Sequence, residues 1–337
     1  MTRPNIVGVT GAAGFVGANL VERLLDEGRT VIGIDDMSTG AIENVARFLD
    51  HPNFTLHQYD CRDTQRLRAD WADVDGIIHL AAMKIPRYEG GLRTMQVNVD
   101  GSHAAFEVAI ALDVPVVFAS TSDVYGNAKA PFREDGEIVL GPPTSRRWCY
   151  ATSKLFDEHL ALRLAEEQGL KVAILRLFNC YGPYNHATWW GGPMSVFFEE
   201  MLDGKQIEIH GDGKQVRSFT FVSDTVDGFV RALDTPESWG EVINIGNDNP
   251  ITIIDLAHKV QAAVGVEDAI PDHLTSFESM GANYQDVYYR VPSTEKAKRI
   301  LGYEAQVGLD EGIERTLAYI RERRAAEASR DQTLASA

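Results

Sequence analysis

Cysteine is scarce. Cys61, Cys149 and Cys180 are the only three in 337 residues, and they stand far apart without metal-ligand spacing. That excludes a disulfide framework and a cysteine-based metal site, and it fits free thiols in a reducing cytoplasm. Positive charge is short as well, with 32 Lys and Arg against 49 Asp and Glu, a formal net charge of −17. A nucleic-acid partner is therefore not expected, because binding a phosphate backbone needs clustered cations. A small anionic ligand stays open, since it needs only a local cationic pocket. No apolar run approaches the length that spans a membrane. Met1-Thr2-Arg3-Pro4 leads straight into an apolar strand without a signal-peptide hydrophobic region. The expectation is a cytoplasmic protein with no membrane partner and no metal. With 44% hydrophobic and 24% charged residues the composition is globular, enough for one large or two ordinary domains. No internal repeat and no long linker is visible.

What is present begins with Asn5-Ile6-Val7-Gly8-Val9-Thr10, a short apolar run of the kind buried on both faces of a parallel sheet. Gly11-Ala12-Ala13-Gly14-Phe15-Val16-Gly17 follows, and Ala18 to Glu27 then repeats apolar residues at helical spacing. In this strand–turn–helix Gly11 permits the tight turn, Gly14 lets the backbone approach a pyrophosphate, and Gly17 lets helix and strand pack closely. The helix N-terminus offers free amides to the phosphates. A glycine-rich turn that binds nothing is the alternative. The next strand, Thr30–Ile34, ends in Asp35, an acid placed to accept hydrogen bonds from the adenosine ribose. A 2′-phosphate would be repelled there, so the spacing points to NAD and not NADP.

The alternation continues through strands at Phe54–Tyr59, Gly76–Leu80, Val114–Ala119 and Lys171–Leu177, with a long helix around Val97–Leu112. Asp60 is placed either to meet the adenine or to cap a strand end. Ala81 and Ala82 are small enough for close approach of a cofactor. Ser120-Thr121-Ser122-Asp123 follows a strand, where open α/β sheets bind ligands. Beyond Phe178 the pattern becomes irregular: short strands at Ile207–His210 and Gln215–Val222, and helices at Ser195–Leu202, Ser223–Leu233, Ile253–Val264, Glu295–Leu301 and Asp310–Arg323. The tail from Ala325 reads as frayed or disordered. The fold expected is α/β, a doubly wound parallel sheet over 1–180 to which 215–245 returns. A smaller α/β substrate lobe over 181–324 closes on it.

Tyr150-Ala151-Thr152-Ser153-Lys154 is the stretch with the most chemistry. On a helix Tyr150 and Lys154 project from one face. A phenol with an ordinary pKa of about 10 needs a nearby positive charge to act as a base at neutral pH, and Lys154 can supply it. Taken alone, such a pair also occurs solvated on many amphipathic helices.

Together these residues resemble the extended short-chain dehydrogenase/reductase family, the NAD-dependent nucleotide-sugar epimerases, dehydratases and decarboxylases. The motifs are Gly11-x-x-Gly14-x-x-Gly17, Asp35, His79-Leu80-Ala81-Ala82, Thr121 ahead of Val124-Tyr125-Gly126, Tyr150-x-x-x-Lys154, and Arg176-Leu177-Phe178-Asn179 before Tyr181-Gly182-Pro183. The resemblance runs from Gly11 to about Tyr319. It implies that Tyr150 takes the proton of a sugar 4-hydroxyl while C4 gives hydride to NAD+, that Lys154 binds the nicotinamide ribose and lowers the tyrosine pKa, and that Thr121 bonds the 4-oxygen. Ser122 and Asp123 complete the catalytic set. Cofactor contacts are implied for Gly11, Ala13, Gly14, Phe15, Val16, Gly17, Asp35, Asp36, Asp60, Cys61, Leu80, Ala81, Ala82, Lys84, Asn98 and Ser120. Substrate contacts are implied for Lys84, Asn179, Arg217, Tyr284 and Arg290. A homodimer built on the helices carrying Phe106, Ile110, Leu155, Leu160 and Leu164 is also implied.

Within the family the reaction depends on the residues around the sugar. Dehydratases carry Asp-Glu after the threonine, where this chain has Ser122-Asp123, which argues against 4,6-dehydration. UDP-glucuronate decarboxylases carry Ser-Glu there, one methylene longer. Asn283 to Ser293 resembles a bacterial decarboxylase domain, with Arg290 on its decarboxylation arginine, and Arg147-Trp148 is shared with it. Decarboxylases and several uronate epimerases have an arginine after Gly-Pro, where this chain has Tyr184, and Lys84 is similar to galactose-type 4-epimerases. The expectation is a 4-epimerase of UDP-glucose or a related UDP-sugar. The alternatives are a UDP-glucuronate decarboxylase, a UDP-glucuronate 4-epimerase or a catalytically idle NAD-binding protein.

Overall fold

The computed structural model describes residues 3–84, 90–271, 274–276 and 286–335. Seven strands form one parallel sheet: β1 (Ile6–Thr10), β2 (Thr30–Asp35), β3 (Phe54–Gln58), β4 (Gly76–His79), β5 (Val116–Thr121), β6 (Val172–Leu177) and, after an interval, Glu241–Ile245. The runs in β1, β5 and β6 have almost no polar alternation because helices cover both faces, so every residue of β5 is buried. The order is β3-β2-β1-β4-β5-β6, with Glu241–Ile245 added beside β6. Chain direction across the sheet reverses between β1 and β4, the point at which open α/β sheets form a ligand crevice beyond their C-terminal strand ends. This is a Rossmann-type doubly wound fold.

Helices α1 (Phe15–Asp26), the short α2 (Ile42–Val45), α3 (Thr64–Asp70), α4 (Gly91–Leu112) and α5 (Trp148–Gln168) follow their strands. Helix α4 starts six residues before the expected Val97. Helices α4 and α5 lie side by side, packing on β4 and β5. Phe106 is fully buried and meets Phe118 edge-on at 5.5 Å, so it belongs to the core beneath these helices and not to an outer face. The large apolar side chains these two helices expose are Leu92, Met95 and Phe156.

Beyond β6 come β7 (Cys180–Tyr181), α6 (Pro193–Leu202), β8 (Val216–Arg217), β9 (Thr220–Phe221), α7 (Val222–Asp234), β10 (Glu241–Ile245, the seventh sheet strand), β11 (Ile251–Thr252), α8 (Ile253–Val264), β12 (Tyr289–Arg290), α9 (Glu295–Leu301) and α10 (Leu309–Ala335). Helix α7 packs against α1 and the main sheet. Strands β11, β8 and β12 make a small sheet, and β7 pairs with β9. One apolar core runs without a break from Val7, Val9 and Leu20 to Phe197, Leu256 and Leu317.

Three expectations are corrected. The strand expected over Ile207–His210 is reduced to a single bridge between His210 and Thr275, and Ile207 and Ile209 are buried in the core. The single strand expected over Gln215–Val222 is two short ones, β8 and β9, because Ser218 and Phe219 turn the chain from one small sheet to the other. The tail is helical through Ala335. Ala, Glu and Arg are strong helix formers, and no Gly or Pro follows Gly312 to stop the helix.

Candidate active site

The strand ends of the sheet and the loops of β8 and β12 enclose a cavity of about 460 Å³. Its deep end is the glycine turn. Gly11 has φ +70°, a conformation open to glycine at little cost, and a Cβ on Gly17 would lie 1.9 Å from the Gly11 carbonyl oxygen. Any side chain at 17 would drive α1 off β1. Asp35 accepts from the Ala13 amide (2.9 Å) and from the Met37 amide (2.9 Å), which ties the glycine turn to the end of β2. Burial raises the Asp35 pKa, and these amide bonds oppose the rise.

Most of the expected cofactor set lines the cavity: Gly11, Gly14, Phe15, Val16, Gly17, Asp35, Asp36, Asp60, Cys61, Leu80, Ala81, Ala82, Lys84 and Ser120. Two expected residues do not. Ala13 is buried and meets the site only through its amide bond to Asp35. Asn98 lies behind the wall, exchanging bonds with the Met83 backbone (2.8 and 3.1 Å) and donating to Ser153 (2.9 Å). It holds the loop after β4 and does not face the cavity, a distinction that only the fold makes. The Asp60 carboxylate is gripped by the Arg62 guanidinium at 2.6 Å, which lowers its pKa.

Helix α5 brings Tyr150 and Lys154 to the cavity, and β5 ends beside them with Thr121, Ser122 and Asp123. Thr121 stands beside the Tyr150 phenol and favours its ionised form. Burial, and then the Asp123 carboxylate, hold the Tyr150 phenol above its ordinary pKa, and Thr121 pulls the other way. Lys154 is therefore not the dominant influence on the tyrosine that the sequence implied. Its own ammonium is pushed down to about 8, by burial first, with Asp157 opposing. Lys154 Nζ is buried without a hydrogen-bond partner among the described residues and sits over the Phe118 ring at 4.5 Å. An orphaned buried ammonium facing the cavity fits a ribose hydroxyl pair that would accept its bonds. With the glycine turn and Asp35, the residues present fit NAD.

At the opposite end Asp123 is held between two arginines, Arg290 at 2.7 Å and Arg147 at 3.3 Å, all three lining the cavity. The acids near Arg290 in sequence, Asp286 and Glu295, pair with other residues. Asp286 pairs with Arg217 (3.0 Å) and Glu295 with Arg133 (3.1 Å). Arg217 lines the cavity, and its charge is shared with Asp286 and with the Val216 and Tyr288 carbonyls. Asn179, at φ +37°, donates to the Ser218 carbonyl (2.7 Å) and also lines the cavity. Lys84 lines it too, its pKa lowered by burial while Cys180 and Asp123 favour its charged form. Tyr284 lies outside the described residues. Tyr184 packs edge-on to Tyr319 at 5.1 Å and under Arg47, and is not part of the lining. Arg147 was missed as a site residue. Its sequence signals were its place three residues before Tyr150 and the Arg147-Trp148 pair shared with the decarboxylase domain.

Comparisons with known proteins agree with this geometry. Residues 7–246 match the model of the NAD dependent epimerase/dehydratase family. The chain is 30% identical to the UDP-N-acetyl-alpha-D-glucosaminuronate decarboxylase of Bacillus cytotoxicus, over 93% of this chain and 97% of that protein. It is 31% identical to UDP-glucuronic acid decarboxylase 1 of Xenopus tropicalis, over 93% of this chain and 71% of that one. Among solved structures, the NAD complex of the Thermus thermophilus UDP-glucose 4-epimerase superposes with a TM-score of 0.79 at 27% identity, covering 94% of this chain and 99% of that one. Motifs, fold, cavity and likeness converge: the chain is an enzyme of the NAD-dependent epimerase/dehydratase family, with NAD as its cofactor.

Proposed function

We propose that this enzyme decarboxylates a UDP-linked hexuronate through a 4-keto intermediate. The observation that carries the reading is Arg290, which faces the cavity on Asp123, at the end where Thr121 and Tyr150 stand. With Arg147 on the same carboxylate, the cluster carries two positive charges and one negative among the described residues. It can take up a further carboxylate, whereas a neutral hexose offers it none. The two decarboxylases among the relatives support the same choice. The missing arginine after Gly-Pro weighs less, because Tyr184 is turned away from the lining.

Bound NAD supplies the acceptor, and later the donor, of the C4 hydride. As its phenolate, Tyr150 takes the 4-hydroxyl proton, with Thr121 beside the same oxygen. A high tyrosine pKa then keeps that proton on Tyr150. It can donate a hydrogen bond to the 4-keto oxygen when the bond from C5 to the carboxylate breaks. Carbon dioxide leaves, its bonding electrons move toward that oxygen, C5 takes a proton from solvent, and Tyr150 gives its proton back to the 4-oxygen as hydride returns to C4. Arg290 and Arg147 orient the carboxylate beforehand.

A 4-epimerase is the second reading. It is favoured by Asp123, one methylene shorter than the decarboxylases' glutamate and already engaged by both arginines. It needs only oxidation, rotation of the keto sugar and hydride return. Incubation with UDP-glucuronate, UDP-N-acetylglucosaminuronate, UDP-glucose and UDP-galactose, followed by NMR of the products, tests the choice. Carbon dioxide and a UDP-pentose are expected; a C4 epimer pair without carbon dioxide would replace this reading with the second. Both cycles are redox-neutral, so NAD should leave the denatured protein and no NADP should be needed. We also propose a homodimer through the exposed faces of α4 and α5, where Leu92, Met95 and Phe156 lie. A monomer mass in light scattering at micromolar concentration would oppose it.

A further inference from the structure

A second carboxylate stands behind the catalytic pair. Asp157 lies one helical turn beyond Lys154 on α5, so the two side chains leave the helix on adjoining faces. Asp157 is fully buried, its Oδ2 accepts from Ser102 of α4 at 2.9 Å, and its Oδ1 has no hydrogen-bond partner among the described residues. The Ser102 hydroxyl also lies 3.4 Å from Nε2 of His79 in β4, whose Nδ1 meets the Thr10 hydroxyl of β1 at 2.8 Å. A polar chain therefore runs from the first strand, through the sheet, to the back of Lys154. Burying an acid there, with one of its oxygens unsatisfied, costs stability unless a charge nearby compensates.

We propose that Asp157 is a positioning residue for the oxidation step: held by Ser102, it supplies the negative charge that keeps Lys154 an ammonium inside the closed site.

The other groups facing the pair do not take that role. Glu158 also favours the charged lysine, but it is locked on Arg176 of β6 at 2.6 Å and accepts from Ser120 of β5 at 2.5 Å. His79 is held neutral, pushed down to about 3 by burial and by Lys154. Burial pushes the Cys61 thiol up to about 12, so it carries no charge at neutral pH. The raised pKa of Tyr150 keeps it from adding a negative charge beside Lys154 in the resting enzyme. Burial likewise pushes Asp157 up to about 7, and Lys154 pulls it back, as expected for two opposite charges that stabilise each other.

The test uses the full chain as purified with its NAD. Lysine labelled at 13Cε is titrated by NMR, and the Lys154 signal is assigned through Lys154→Met. In Asp157→Asn, a neutral side chain of the same shape, the Lys154 midpoint should fall by about one pH unit or more. The alkaline limb of kcat should move the same way, with NAD still bound. A midpoint unmoved in folded Asp157→Asn overturns the proposal. If that variant does not fold, the reciprocal measurement decides. The 13Cγ midpoint of Asp157 should rise by a similar amount in Lys154→Met, and an unchanged midpoint overturns the proposal. Neither readout depends on which sugar is the substrate.

Discussion

Two arginine–carboxylate clusters stand at either side of the end of β5, built from the same chemistry and used differently. Glu158 and Arg176 form a pair whose side chains are 3% and 5% exposed, with Ser120 bonded to the glutamate and Arg176 over the Tyr125 ring at 4.6 Å. Tyr125 continues the network to Asn244 of β10 at 2.7 Å. The cluster ties β5, β6, α5 and β10 together, and no solute can reach it. Asp123, Arg147 and Arg290 have the same groups at similar distances, but the arginines are 8% and 11% exposed and Asp123 is 20% exposed, all on the cavity wall. Access, and not the strength of the pairing, separates a brace from a receptor. A sealed pair has only stability to contribute, whereas an accessible one can exchange partners with a ligand.

Breaking the brace should give the largest effect. Arg176→Ala strands the Glu158 carboxylate in the core and should cost about 3–5 kcal/mol of stability. Chemical denaturation reads this, and a loss under ~1 kcal/mol would show that the pair is not sealed. Arg290→Ala should do the reverse. Turnover of a UDP-hexuronate should fall on the order of a hundredfold, about 2.7 kcal/mol of barrier, while stability changes by no more than about 1 kcal/mol. An Arg290→Ala enzyme that keeps turnover within about tenfold would instead favour the neutral-hexose epimerase. Arg147→Ala comes next. With Arg290 still present, about a tenfold rise in KM at nearly constant kcat is expected, since the residue orients the carboxylate without meeting the reacting carbon. Steady-state kinetics separate the two parameters.

The smallest effect is a shift in pH dependence. Asp123 raises the Tyr150 pKa, so Asp123→Asn should lower it and move the acid limb of kcat/KM to lower pH, by about one unit or less. A limb moving upward would remove Asp123 from the tyrosine's field.

Much of this was legible in the chain itself. The cofactor half could be read because it is local: strand, glycine turn, helix and ribose acid lie within residues 6 to 35, and backbone sterics at Gly11 and Gly17 dictate the residue type. Helices α8 and α9 run between the bounds their periodicity predicts, since each buries a single apolar face. Tyr150 and Lys154 share a face by helical geometry alone. Tertiary structure decided which distant residues meet. Arg290 comes to Asp123 from 167 positions away because β12 pairs with β8 at the cavity rim, and neither local acid, Asp286 or Glu295, is left for it. Asn98 looked like a contact and is a support. Nothing in the sequence singles out Asp157, and only the packing of α4 against α5 sealed it behind Lys154. Local geometry is written in neighbouring residues, whereas burial and charge pairing depend on elements far apart in the sequence.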